Sequence, residues 1–146
     1  MKKTLIVILG AIILGGTIAF CLFNKVVLKE EINTVIVNAF QIGAFTNLDN
    51  ATKVADRNNG IVVSDEGIYR VYVAVLNDTE AIKKLRSYYE EIGLKYYLKE
   101  IKVNKEYLNC ISTSEELLKK SSSDTYALLN KEMLNKYKEL QKGWVI

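Results

Sequence analysis

The chain has 146 residues with 20 basic and 17 acidic side chains, so its net charge is close to neutral. This length suits one modest domain with a short appendage and excludes two large cores. This charge balance gives none of the basic footprint expected of a nucleic-acid binder, so we expect no nucleic-acid partner. His and Pro are absent from the sequence, which removes the commonest general base and a common metal ligand.

The N-terminal segment predicts a membrane anchor. Residues 4–24 form an uncharged run rich in Leu, Ile, Val, Ala and Gly. A helix needs about 20 apolar residues to cross a bilayer, whereas the apolar core of a secretory signal is shorter. We therefore expect a retained single-pass anchor over residues 1–24 and a juxtamembrane stalk over residues 25–33. Lys2 and Lys3 favour a cytoplasmic N-terminus. Cleavage as a secretory signal is the alternative.

Two strand–helix–strand units are predicted between residues 34 and 103. A run of β-branched and aromatic residues at 35–45 predicts the first strand, and Asn47 is placed to cap the helix that follows. The next elements are a helix stop at 58–60, a strand at 61–64, a turn at 65–67, a strand at 68–76, a helix from Asp78 to Gly93 and a strand at 95–103. This order predicts an α+β fold. Its βαββαβ units form a four-stranded antiparallel sheet with two helices on one face, as in ferredoxin-like and RNP-like folds, and the other face is open to solvent.

Residues 104–146 predict a C-terminal helical extension. Ser112 with Glu115 matches a capping box, which indicates a helix start. Residues 121–124 predict a break before a second helix. That helix carries an amphipathic stripe of Tyr126, Leu129, Met133, Tyr137 and Leu140. We expect the extension to pack on the domain, and docking of a protein partner through the stripe is the alternative.

No set of catalytic residues stands out in the sequence. There is no phosphate-binding glycine loop, and the two cysteines, Cys21 and Cys110, lack metal-ligand spacing. Carboxylates are scattered, and none forms the opposed pair that glycoside hydrolysis needs. We therefore expect a protein that is not an enzyme and holds no cofactor or metal.

The open face of the predicted sheet is the candidate binding surface. Strict alternation places Gln41, Gly43 and Phe45 on one side of the first strand. On the third strand, Arg70 and Tyr72 then become neighbours of Gln41 on the exposed side. An amide, a guanidinium and an aromatic ring suit carbohydrate, since hydroxyls take directional hydrogen bonds and a sugar's apolar face packs on aromatic rings. Wet sheet faces are commonly polar, however, so this surface alone does not name a ligand.

Three motifs in this region resemble one family. Residues 41–45, Gln-Ile-Gly-Ala-Phe, resemble the Gln-x-Gly-(Ser/Ala)-Phe strand of the SPOR domains, which bind peptidoglycan. The Asn-Ala pair at 50–51 resembles the family's Asn-Ala at the first helix, and residues 69–73 resemble its third-strand motif. The resemblance covers residues 34–103. The family usually continues with Gly-Pro-Phe, where this chain has Ala-Val-Leu at 74–76.

The resemblance implies non-catalytic binding of peptidoglycan glycan strands, particularly strands stripped of stem peptides during cell division or sporulation. It implies glycan-binding residues at Gln41, Gly43, Phe45, Arg70 and Tyr72, with packing at the strand end as the alternative role for Phe45. With the anchor, it predicts a cell-membrane protein whose C-terminal domain is extracytoplasmic. Two alternatives stay open. One is a structural or regulatory module that binds an envelope protein through the sheet face or the C-terminal helix, and the other is a cytoplasm-facing sensor of inverted topology.

Overall fold

The computed structural model describes residues 33–141, so the predicted anchor and nearly all of the stalk lie outside the described residues. Within that range no helix is both long enough and apolar enough to cross a bilayer. Within the described range, residues 35–141 belong to one compact unit. Its elements are β1 (Thr34–Phe45), α1 (Leu48–Arg57), β2 (Ile61–Asp65), β3 (Ile68–Leu76), α2 (Thr79–Glu91), β4 (Tyr97–Asn104), α3 (Lys105–Lys120), a 3-10 turn (Ser123–Thr125) and α4 (Tyr126–Leu140).

Local side-chain chemistry sets the ends of α1 and α2. The Asn47 side chain accepts the N–H of Asn50 at 3.1 Å, which satisfies one of the amides left without a partner at a helix start. Asp78 accepts two amides in the first turn of α2 at 2.9 and 2.8 Å. Gly67 in the β2–β3 turn and Gly93 after α2 have φ values of +81° and +71°, a conformation that favours glycine. The caps at Asn47 and Asp78 and the turn glycines follow the sequence prediction.

The four strands form an antiparallel sheet in the order β2-β3-β1-β4, so β3 and β1 are central and β2 and β4 are edges. The predicted α+β fold and four-stranded antiparallel sheet are confirmed. The bounds of β3 agree with the prediction, whereas β4 begins at Tyr97, two residues later than expected.

Buried side chains form two clusters. The smaller lies under α1 and contains Ala51 and Ala55 of that helix with Val62 and Val71 of the sheet. The larger combines sheet residues with residues of α2, α3 and α4. Its fully buried members include Phe40, Tyr72, Leu85, Tyr107, Ile111, Leu118, Met133 and Leu134. The helices α1 and α2 therefore bury their apolar residues in separate clusters, and the C-terminal helices supply part of the main core.

The start of α3 differs from the prediction. Asn104 caps α3 by accepting an amide of its first turn at 3.0 Å, so Ser112 lies within the helix. The buried carboxylate of Glu115 instead accepts the backbone amides of Asn77 and Asp78 at 2.6 and 2.9 Å. The capping-box prediction is wrong here, because Glu115 satisfies amides ahead of α2 rather than at its own helix start. These two hydrogen bonds connect α3 to the segment between β3 and α2.

Candidate functional site

Two register shifts in the pairing of β1 with β3 decide where the predicted site residues point. The shifts fall between Phe40 and Gln41 and between Gln41 and Gly43. As a result Gln41 lies opposite Tyr72, whereas Gly43 lies opposite Val71. Opposed residues of an antiparallel pair share a face, and Tyr72 and Val71 are consecutive, so Gln41 and Gly43 lie on opposite faces. Strict alternation along β1 predicted one shared face, and the irregularity overturns it.

Gly43 and Phe45 lie on the α1 side of the sheet. Val71, opposite Gly43, belongs to the cluster under α1, and Phe45 packs against the same cluster. The Phe45 ring also covers Gly43, since a Cβ added to Gly43 would lie 2.7 Å from the ring Cζ. The predicted placement of these two residues beside Gln41 is therefore wrong. The structure gives them a packing role at the end of β1.

Tyr72 is buried, although the sequence predicts it on an open face. It is only 2% exposed, and burial raises the pKa of its hydroxyl to about 12. The helix α4 packs on β3, and Tyr137 of α4 has its pKa raised by burial and, secondarily, by neighbouring Tyr72 and Asp65. The C-terminal helix thus covers the sheet around Tyr72. That placement removes Tyr72 from contact with an external sugar.

A polar cluster remains partly exposed at the hairpin end of the sheet. It consists of Gln41, Asp65, Arg70 and Lys99, one residue from each strand. Arg70 Nε donates to Asp65 Oδ2 at 2.7 Å, and Lys99 Nζ donates to the same oxygen at 3.0 Å. Arg70 Nη1 also reaches Gln41 Oε1 at 3.5 Å. The Arg70, Asp65 and Lys99 side chains are 22%, 28% and 28% exposed, so the cluster is ordered yet accessible.

The charges of the polar cluster favour an ionised carboxylate. Hydrogen bonds from Arg70 and then Lys99 lower the pKa of Asp65 against a smaller opposing effect of burial. Two cations and one anion give the cluster a formal charge of +1. A guanidinium carries five N–H donors, and the two contacts of Arg70 use Nε and Nη1, which leaves donors for a ligand. The cluster therefore combines donors and acceptors that suit a hydroxyl-rich ligand.

Sequence reasoning identified Gln41 and Arg70 as neighbours but missed Asp65 and Lys99. The sequence predicts Asp65 only as a turn residue. Lys99 lies on an edge strand, and the sequence contains no signal that places it within reach of Asp65 on the opposite edge strand. The two side chains meet only in the folded sheet, where Lys99 Nζ lies 3.0 Å from Asp65 Oδ2.

Comparison with known proteins identifies no relative. No family model, curated protein or solved structure matches the chain. Across residues 33–141, no group of His, Cys, Asp and Glu side chains is placed to hold a metal ion. The chemistry of the polar cluster is therefore the basis for a functional interpretation.

Proposed function

We propose that this chain is a membrane-anchored, non-catalytic protein that binds peptidoglycan glycan strands in cell division or sporulation. In this proposal the domain is SPOR-like, and the ligand is glycan stripped of its stem peptides. The polar cluster of Gln41, Asp65, Arg70 and Lys99 is the observation that carries the proposal. The motifs at residues 41–45 and 69–73 support it, because they contribute Gln41 and Arg70.

The cluster's geometry supports recognition of sugar hydroxyls. A hydroxyl both donates and accepts, so it can donate to Asp65 while accepting from Arg70 or Lys99. Hydrogen bonds to charged groups are stronger than neutral ones. Each contact with a repeating polymer is weak, but membrane tethering raises the effective concentration and allows several copies to act together.

The covering of the sheet by α4 supports a preference for unbranched strands. The helix α4 packs on β3, the strand that carries Arg70, so a helix borders this part of the sheet. A bare glycan strand needs only a narrow path across this end of the sheet. Stem peptides would widen the strand, and α4 limits the room beside this path.

The buried state of the α4 stripe counts against the protein-partner alternative. Tyr126, Leu129, Met133 and Tyr137 are all buried within the chain itself, at 0% to 7% exposure. A partner that docked on this stripe would have to displace it from the core. The amphipathic pattern is accounted for by intramolecular packing.

Co-sedimentation with purified sacculi tests the proposal. The full-length chain, in a detergent without sugar groups, is incubated with intact sacculi and with sacculi treated with amidase to remove stem peptides. We expect several-fold more protein to sediment with the treated sacculi, and digestion of the glycan by a muramidase to release it. Equal failure to bind the two preparations would overturn the proposal.

A further inference from the structure

The edge strand β4 offers one side of the sheet for pairing. Among the described residues no strand lies beyond β4 in the order β2-β3-β1-β4. The sequence contains no proline, so every residue of β4 keeps its backbone N–H. Backbone groups on such an edge can hydrogen-bond to a strand of another chain. Four side chains of the strand are exposed, namely Tyr97, Glu100, Lys102 and Asn104.

The charges of β4 restrict which strand can pair with it. Charged residues on an edge strand oppose pairing, unless opposite charges meet across the new junction. Successive side chains point to opposite faces, so the exposed Glu100 and Lys102 share one face and Ile101 lies on the other. Within residues 33–141 neither Glu100 nor Lys102 takes part in an ion pair. An acid and a base two residues apart on one face are the pattern that a reversed copy of the same strand neutralises.

We infer that β4 pairs antiparallel with β4 of a second copy of this chain, in the register that puts Ile101 opposite its own copy. When a two-fold axis perpendicular to the sheet relates two such strands, one residue always lies opposite itself. Centring the pair on Lys99, Glu100 or Lys102 would set like charges against each other. Centring it on Ile101 sets Glu100 of each copy opposite Lys102 of the other. Among the middle residues 99–102, only Ile101 allows these two cross-strand ion pairs.

This pairing would place both polar clusters on one face of a continuous sheet. Lys99 belongs to the polar cluster and shares its face of β4 with Ile101. A two-fold axis perpendicular to the sheet keeps that face on the same side in both copies. The dimer would therefore present two polar clusters to one polymer. That consequence rests on the proposed function, whereas the dimer itself does not.

Sedimentation equilibrium of the full-length chain, in a density-matched detergent, measures the monomer–dimer equilibrium. Glu100→Lys and Lys102→Glu each set like charges at both cross-strand positions, so each should raise the dissociation constant of the dimer by at least about tenfold. The double variant that exchanges the two charges should restore nearly the wild-type value, because both ion pairs form again with their signs reversed. Asp56→Lys and Lys53→Glu are the matched controls, since they reverse exposed charges on α1, which packs on β2 and β3. Neither control should change the dissociation constant.

A mixture of the two single variants tests the register itself. Glu100→Lys carries two bases on this face and Lys102→Glu carries two acids, so each repels itself but attracts the other. The mixture should form heterodimers with a dissociation constant at least about tenfold below that of either variant alone. Failure of the mixture to dimerise more tightly than its components would overturn the inference, and so would a wild-type chain that remains monomeric at every concentration measured. A dimer that neither single variant weakens would also overturn it.

The dimer and the proposed function can fail separately. Arg70→Ala removes a side chain of the polar cluster and leaves the charges of Glu100 and Lys102 in place, so it should dimerise like wild type while it loses sacculus binding. Dimerisation is measured without glycan. A monomeric chain that binds amidase-treated sacculi would contradict only the dimer, and a dimer that does not bind them would contradict only the proposed function.

Discussion

Arg70 donates to Asp65 at 2.7 Å across the β2–β3 hairpin, and this ion pair organises the polar cluster. Lys99 adds a second contact to the same carboxylate oxygen at 3.0 Å. The pair orients the guanidinium so that its Nη1 lies near Gln41. In our proposal Asp65 therefore both positions Arg70 and Lys99 and offers its own carboxylate to a glycan hydroxyl.

Replacing Asp65 by Asn should lower stability at neutral pH but much less in acid. Partly exposed ion pairs contribute about 0.2–1 kcal/mol each, so we expect a loss of about 1 kcal/mol near pH 7. The pKa of Asp65 is lowered in the folded state, chiefly by Arg70 and then by Lys99. Its contribution is therefore present above the unfolded pKa of about 3.9 and is lost as pH falls through the folded pKa.

Urea unfolding of wild type and Asp65→Asn at about pH 7 and about pH 3 measures this effect. Glu66→Gln, at the exposed neighbouring turn position, is the matched control and should change little. Equal stability of wild type and Asp65→Asn near pH 7 would show that the ion pair contributes nothing.

Met133 and Leu128 test whether α4 belongs to the core. Met133 is fully buried and Leu128 is 69% exposed on the same helix. Met133→Ala should cost about 2–5 kcal/mol, because it removes buried methylenes and leaves a cavity. Leu128→Ala should change the free energy of unfolding by no more than about 0.5 kcal/mol. Similar small values for both variants in denaturant titrations would mean that α4 does not cover the sheet.

Substitutions at Gly43 and Phe45 test whether the Phe45 ring packs over Gly43 at the end of β1. Gly43→Ala should cost about 1–3 kcal/mol, because the new methyl group displaces the Phe45 ring. In the Phe45→Ala background the same substitution should cost clearly less, since the obstructing ring is gone. A double-mutant cycle of unfolding free energies measures the difference. Identical costs in the two backgrounds would contradict the packing role of the ring.

Buried tyrosines should make the folded protein less stable at alkaline pH. Burial raises the pKa of four of the nine tyrosines, namely Tyr72, Tyr89, Tyr107 and Tyr137. Their neutral form is favoured in the fold, so their contribution to stability is complete below the unfolded pKa of about 10 and declines as pH rises above it. For Tyr72 that decline extends to about pH 12.

Ultraviolet absorbance of phenolate, followed together with circular dichroism, measures this loss of stability. We expect the last tyrosines to ionise only as secondary structure is lost. Ionisation of all nine tyrosines near pH 10 with the fold intact would contradict the burial of these rings.

Local signals were sufficient to predict most elements of the sheet domain. Asn47 and Asp78 are capping residues whose effect depends on near neighbours, and Gly67 and Gly93 occupy backbone conformations that few other residues adopt. Such features can be read from a short window of sequence. The bounds of β3, where an apolar run follows a tight turn, were predicted for the same reason.

Long-range features could not be predicted. The periodicity of β1 cannot reveal a register shift, because such a shift depends on how β1 pairs with β3. In this sheet the shift places Gly43 and Gln41 on opposite faces. The α4 stripe predicts that the helix buries one face, but it does not show which surface that face covers. The sequence therefore predicts Tyr72 in solvent, whereas the residue is buried. Lys99 is distant from Asp65 in the sequence, and the two side chains meet only when the sheet forms. No local pattern therefore predicts that Lys99 belongs to the polar cluster.

The most direct measurement of the central claim is the affinity of Arg70→Ala for amidase-treated sacculi, determined by co-sedimentation of the full-length chain. Arg57→Ala, at an exposed arginine in the last turn of α1, is the matched control. Hydrogen bonds to charged groups contribute about 1.5–3 kcal/mol, so we predict at least a tenfold loss for Arg70→Ala and no change for Arg57→Ala. Wild-type affinity in an Arg70→Ala protein that remains folded would contradict the account.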